Sequence, residues 1–227
     1  MEKVVINMKV SIIHTVSDTS KKDIEKVNKK NKIIVIPNGI NLAEYNLSKN
    51  INRDFSRIVF LGRLVFYKNL DVILKSLVKN PKVKLAVIGD GPKKDEWEKL
   101  AVKLKVSDRV DFLGRVSDEK KMEVLSTSLA LIQPSEIEGF GLSLIEAMSL
   151  ATPCIISDVK PLTEIISNNF NGLVVKNHEW DKAIKKLGSN KELFQKLSRN
   201  AIESSKNYGI SKTVDELIKK VYSKINL

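Results

Sequence analysis

Between Arg57 and Val175, short apolar runs alternate with amphipathic segments, and this alternation limits the chain to very few folds. The runs are Arg57 to Leu61, Val83 to Ile88, Arg109 to Leu113, Leu129 to Gln133, Pro153 to Ile156 and Gly172 to Val175. Helical segments at 68–77, 94–104, 118–126, 141–150 and 162–167 separate them. Strands joined by helices return to the same edge of a sheet, so the pattern predicts an α/β unit: a Rossmann-like parallel sheet with helices on both faces. Helical segments alone follow, ending with Ser211 to Lys224. Ahead of the alternation, Val10 to Val16 reads as a strand. Asp18 or Thr19 can cap a helix running to about Asn28. Lys32 to Ile36 is a second strand, stopped by the turn Pro37-Asn38-Gly39. Residues 40–56 are polar and read as a connection between two structural units.

A parallel sheet binds ligands at the carboxyl ends of its strands. Informative polar residues should follow the apolar runs, and they do. Gly62-Arg63 follows Leu61, Gly89-Asp90-Gly91-Pro92 follows Ile88, Gly114 follows Leu113, and Pro134 to Gly141 follows Gln133. Gly139 and Gly141 allow a ligand close to the backbone. The helix behind them offers unpaired N–H groups and a positive dipole end, which suit phosphate or a sugar hydroxyl. Glu138 stands just before that helix, where a carboxylate can accept hydrogen bonds from sugar hydroxyls. Glu146 lies more than a turn inside it; its plain alternative is a solvent-exposed helix acid. Arg63 and Lys68 are the matching cations, able to neutralise a diphosphate leaving group without a metal. For Lys68 the alternative is a surface lysine. Gly89 to Pro92 is a tight turn that also stands where a ligand could touch it.

The remaining chemistry-bearing residues read as structural. Cys154, the one cysteine, sits in the apolar run Pro153 to Ile156 and reads as a small core residue. His14 lies in a strand, and His178 opens a helix at the surface. With 42% hydrophobic residues the chain can bury a core. No apolar run is long enough to span a bilayer, and no secretion leader is visible at the start. The net charge of +12 favours anionic partners. Its lysines are spread along helices without interleaved aromatics, which argues against nucleic acid.

Taken in order, Gly62-Arg63-Leu64 with Lys68-Asn69, Gly89-Asp90-Gly91-Pro92, Phe112-Leu113-Gly114, Pro134-Ser135 with Glu138-Gly139-Phe140-Gly141, Glu146-Ala147-Met148 and Thr152-Pro153 resemble the C-terminal domain of family 4 (group 1) glycosyltransferases. Glu138 and Glu146 meet the family's Glu-x7-Glu spacing, and the match covers about residues 10–205. The resemblance implies a GT-B architecture of two Rossmann-like domains around a cleft. It also implies a UDP- or GDP-sugar donor, chemistry without metal or cofactor, and retention at the anomeric carbon. In the implied roles, Glu138 contacts the donor sugar and Glu146 the ribose, and Arg63 and Lys68 hold the departing diphosphate. Gly62, Gly91, Gly139, Phe140, Gly141 and Leu142 line the donor site.

The chain departs from the family pattern in two places. An acceptor-binding N-terminal domain is expected to be missing, so that residues 1–52 are its end and the linker. Residues 53–205 then form the nucleotide-sugar-binding domain, and 206–227 a terminal helix that crosses back. That helix would expose Val214, Leu217, Ile218, Val221 and Tyr222 and favour self-association. Val159-Lys160-Pro161 stands where many members have glycines. The expected function is sugar transfer with this chain as the donor-binding half, the other half coming from a missing domain or a separate chain. A non-catalytic nucleotide-sugar-binding module is the alternative. A sugar-nucleotide 2-epimerase fits less well, because its cleft relies on histidines. The expected place is the cytoplasm, where the basic surface permits contact with the inner face of the membrane.

Overall fold

The computed structural model describes residues 12–45, 51–176 and 179–224. Val10, Ser11 and His178 lie outside the described residues. Strand β1 (Ile12–Thr15), helix α1 (Asp18–Val27) and strand β2 (Lys32–Val35) form a βαβ unit with its own two-stranded parallel sheet. The cap of α1 is Ser17, not Asp18 or Thr19. Ser17 is still extended (φ −148°), and its hydroxyl accepts the Ser20 N–H at 3.1 Å. Asp18 and Thr19 have already entered the helix. Their N–H groups donate to the Glu164 carboxylate instead, at 3.0 and 2.9 Å.

The six apolar runs build one parallel sheet: β3 (Asp54–Leu61), β4 (Lys84–Ile88), β5 (Val110–Gly114), β6 (Ser128–Gln133), β7 (Cys154–Ser157) and β8 (Gly172–Val175). Their order is β5-β4-β3-β6-β7-β8, every neighbour parallel. The winding direction reverses between β3 and β6, and such a switch point opens a crevice at the carboxyl ends of those two strands. Helices α2 (Leu70–Val78), α3 (Lys94–Lys103), α4 (Asp118–Ser126), α5 (Leu142–Ser149) and α6 (Leu162–Ile165) connect the strands; α7 (Trp180–Ser189), α8 (Lys191–Ser205) and α9 (Ile210–Lys220) complete the chain.

Alternate residues of each strand feed opposite faces, as the pleat requires. Ile58, Phe60, Leu85, Val87 and Ile132 pack with Leu74 of α2, Trp97 of α3 and Ile184 of α7. Val59, Ala86, Ile88, Leu131 and Ile156 pack on the other side with Leu125 of α4, Leu144 and Met148 of α5 and Ala201 of α8. Burial on both faces explains why the strands read as apolar runs rather than as alternating ones.

Strand β3 starts three residues earlier than its apolar run, inside the segment expected to be a connection. The Asp54 N–H donates to the Thr127 carbonyl at 2.8 Å, and an irregularity separates this pairing from that of Ile58. Just ahead of it, the Arg53 guanidinium donates to the carbonyls of Ser128, Leu150 and Ala151 and to the Thr152 hydroxyl, at 2.8–3.0 Å. It also lies 5.4 Å from the centre of the Phe194 ring. One half-buried cation thus ties the start of β3 to β6, to the α5–β7 turn and to α8. Burial pushes it down to about 10, so it stays charged at neutral pH.

At the opposite, carboxyl edge, the Gly89 to Pro92 turn clamps the loop after β3. The Gly62 N–H donates to the Ile88 carbonyl and the Leu64 N–H to that of Asp90, both at 3.0 Å. Gly89 has φ +132°, and a Cβ there would lie 2.0 Å from the Gly62 oxygen; one on Gly91 would lie 2.4 Å from the Leu64 oxygen. Both glycines are therefore required by packing. Gly89→Ala is expected to lower stability by about 3 kcal/mol or more through overpacking and backbone strain, seen as a lower urea midpoint. An unchanged midpoint would show that the loop relaxes freely.

Helix α9 crosses back to the N-terminal unit. Ile40 and Gly209 form a parallel bridge, and the Thr213 hydroxyl donates to the Pro37 carbonyl at 3.0 Å. Val214, Ile218 and Tyr222 are exposed, as expected; Leu217 and Val221 are half-covered, because they face inward on this amphipathic helix. Among the described residues no helix is long and apolar enough to cross a membrane.

Candidate functional site

Lys68 does not start a helix, as its spacing suggested. It closes a single 3-10 turn (Phe66–Lys68), and Asn69 follows in the left-handed conformation (φ +47°) as the cap of α2. This kink turns the lysine inward. Lys68 is only 8% exposed, so it is not a surface lysine. Its Nζ lies 2.5 Å from Glu138 Oε2.

Glu138 comes from the loop after β6, the other strand of the switch point. The Glu136 N–H donates to the Tyr67 carbonyl at 2.9 Å, which fastens the two loops together. Glu138 Oε2 also accepts from Gln133 Nε2 at 2.6 Å and lies 3.4 Å from the Ser135 hydroxyl. Its other oxygen, Oε1, accepts a single long bond from the Gly139 N–H at 3.3 Å. One carboxylate oxygen is saturated by the protein, and the other keeps its lone pairs for a hydroxyl donor. Leaving Glu138 buried beside a neutral side chain would be costly, and the Lys68 charge offsets that.

Gly141 has φ +109° and caps α5; only a glycine adopts this turn without strain. The N–H groups of Leu142 and Ser143, first in α5, have no partner among the described residues. With the helix dipole they form an anion-accepting end at the same edge. Gly139 has open space where a Cβ would stand. Phe140 is buried against Tyr208, ring centres 6.1 Å apart, so its side chain belongs to the core and only its backbone faces the loop. Arg63 is exposed and makes no side-chain hydrogen bond or ion pair with a described residue. It stands at the carboxyl end of β3 as a free cation.

Glu146 forms a second cluster. It is half-buried, not a solvent-exposed helix acid. Its Oε1 accepts from the Tyr45 hydroxyl at 2.7 Å and from Lys121 Nζ at 2.8 Å. Burial and the carboxylate together hold the Tyr45 hydroxyl well above its usual pKa. For Lys121, burial acts downward, but bonds to Asp118 and Glu146 outweigh it and raise the ammonium. Tyr45 thus stays a donor and Lys121 a cation at neutral pH, and both point at the same Glu146 oxygen.

Three of these residues escaped the sequence reading, Gln133, Tyr45 and Lys121, and Ser135 was read in its loop without a role of its own. Gln133 carried a signal, being the polar end of an apolar strand. Tyr45 and Lys121 carried none, since only the fold brings them to Glu146. The structural readings of His14, as a strand residue, and of Cys154 hold. His14 Nε2 lies 2.9 Å from the Ile36 carbonyl, and Cys154 is buried, which raises its thiol. Among the described residues no three His, Cys, Asp or Glu side chains converge as a metal site would need.

A family model described as "Glycosyl transferases group 1" matches residues 41–204. An uncharacterized glycosyltransferase of Methanocaldococcus jannaschii is 32% identical over 203 residues, covering 88% of this chain and 56% of its own length. A D-inositol 3-phosphate glycosyltransferase of Mycobacteroides abscessus is 30% identical over 184 residues, 78% of this chain and 40% of that protein. The chain spans about half the length of the curated relatives it matches. Among solved structures, Anabaena HepE in complex with UDP and glucose superposes with TM-score 0.87 at 18% identity, covering 98% of this chain and 66% of that one. S. aureus TarM, in a crystal that also holds UDP, gives 0.85 at 24% identity over 96% of this chain and 45% of that one. These likenesses place the fold with the GT-B glycosyltransferase structures. Given the matched family model and the M. jannaschii relative, the chain belongs to the group 1 glycosyl transferases.

Proposed function

We propose that this chain supplies the donor-binding half of a retaining family 4 glycosyltransferase that takes a UDP- or GDP-sugar without a metal. The observation that carries the reading is the buried Lys68–Glu138 pair at the switch point, with one Glu138 oxygen left for a ligand. Glu138 Oε1 accepts from hydroxyls of the donor sugar. Arg63, the remaining Lys68 protons and the Leu142 and Ser143 N–H groups surround the diphosphate. The free Glu146 oxygen accepts from the ribose hydroxyls. During transfer the bond from the anomeric carbon to the diphosphate oxygen breaks, and the acceptor oxygen bonds to the same face of that carbon. The acceptor's proton ends on the departing diphosphate. Charge builds on that leaving group, so fixed cations beside it stabilise the transition state more than the ground state.

UDP in the HepE and TarM structures supports the nucleotide part of this reading. The acceptor-binding half, in this reading, comes from a second Rossmann-like domain or chain, with residues 1–52 as the connection to it. The net charge of +12 suits a site of action in the cytoplasm at an anionic membrane face. Isothermal titration of the folded protein with UDP, UDP-sugars and GDP-sugars tests donor binding. Saturable binding at one site is expected, and no binding to any of them would sink the reading.

Tyr45 offers a finer check. Tyr45→Phe removes one of two donors to Glu146 and leaves Lys121 in place. The affinity for the nucleotide is expected to fall about fivefold, within the range of a typical net hydrogen bond, with the fold unchanged by circular dichroism. Unchanged affinity would separate Glu146 from the ribose.

A further inference from the structure

Gln133 ends β6 directly beneath Glu138 and is 1% exposed. Both Nε2 protons are used: one reaches Glu138 Oε2 at 2.6 Å, the other the Ser135 hydroxyl at 3.2 Å. Its own carbonyl oxygen, Oε1, is buried and has no hydrogen-bond partner among the described residues. A buried acceptor left unpaired costs free energy, and native structures rarely tolerate one without a reason. The reason is on the other side of the amide. Turning it over would put the carbonyl oxygen at that same 2.6 Å from a carboxylate oxygen, an acceptor facing an anion. The amide therefore serves Glu138 at the expense of its own oxygen.

We infer that Gln133 is a positioning residue that selects which oxygen of Glu138 meets the donor sugar. This inference rests on the sugar-binding role proposed for Glu138. Lys68 supplies charge from the loop after β3, but its ammonium is a compact point charge whose donors rotate, so it sets little direction. The Gln133 amide is planar, packed inside the sheet, and reaches Glu138 from the strand itself. Together they saturate Oε2 and leave Oε1 with its one long bond. Side chains held from rigid strands by a second layer of hydrogen bonds keep a binding group within the narrow geometry that recognition needs. Gln133 thus bears on the sugar and not on the nucleotide.

The test uses Gln133→Met, which removes the donor at similar volume, and Gln133→Glu, which keeps the shape but replaces the donor by an acceptor. UDP and a UDP-sugar are titrated against each variant. Affinity for the UDP-sugar is expected to fall about 10-fold in Gln133→Met, and further in Gln133→Glu, while affinity for UDP stays within about twofold. A residue that merely fills space would give the opposite order, Glu being the closer isostere. Equal loss of UDP and UDP-sugar, or no loss of either, would overturn the positioning role. A crystal structure of ligand-free Gln133→Met tests the same point without any donor. The Glu138 carboxylate is expected to leave its wild-type position, and an unmoved carboxylate would overturn the inference. That result is independent of donor binding by the wild-type protein, so failure of the inference and failure of the donor-binding reading can be told apart.

Discussion

Glu138→Ala is expected to abolish the affinity difference between a UDP-sugar and UDP and, with the acceptor-binding half present, to cut sugar transfer by about 100- to 1000-fold, the scale set by removing one preorganised polar group from a reacting centre. The nucleotide should still bind. Its proposed contacts are Arg63, Lys68, the α5 N-terminus and Glu146, and of these only Lys68 touches Glu138. Glu138→Gln keeps the shape and the neighbours but puts an amide against Lys68 and Gln133, so it should lose nearly as much. Transfer within tenfold of wild type in either variant would remove Glu138 from the role assigned to it. Loss of UDP binding in both would mean that Glu138 serves the loop rather than the sugar.

Lys68→Met should strike stability and binding together. The pair is largely buried, with side-chain exposures of 10% for Lys68 and 15% for Glu138. Removing one partner of such a pair leaves an uncompensated charge, which typically costs about 3 kcal/mol. The urea midpoint of Lys68→Met should fall accordingly. Most of that loss should return in the double variant Lys68→Met/Glu138→Gln, because the orphaned charge is gone. Nucleotide affinity should not return, since the cation is still absent. Additive losses in stability would mean that Lys68 and Glu138 do not act as a pair. Full nucleotide affinity in Lys68→Met would take the diphosphate away from Lys68.

The parallel sheet was legible in the sequence for a physical reason. Strands covered on both faces have no polar side to show, and the helices between them carry their own period. The loops at the carboxyl ends were legible too, because glycine and charge interrupt apolar runs only where the chain turns or binds. Legibility ended where contacts are long-range. Nothing local in Lys68 shows that a left-handed Asn69 turns it inward. Nothing in Glu146 points to Tyr45, 101 positions away, or to Lys121 on another helix. Asp54 to Ser56 hid the start of β3, because their polar side chains satisfy one another: the Asp54 carboxylate accepts from the Ser56 backbone and hydroxyl. The α1 cap was misplaced because the N–H groups of Asp18 and Thr19 are taken by a carboxylate over 140 residues away.

In the proposed function a nucleotide sugar lies across the β3–β6 switch point. A crystal structure of the protein soaked with a UDP-sugar that it binds tests this most directly. Sugar hydroxyls are expected within hydrogen-bond distance of Glu138 Oε1. The diphosphate is expected between Arg63 and the Leu142–Ser143 N–H groups, and the ribose against Glu146. A ligand seated instead in the neighbouring groove lined by Asn69, Val72, Ser157 and Trp180, with Glu138 Oε1 untouched, would contradict it.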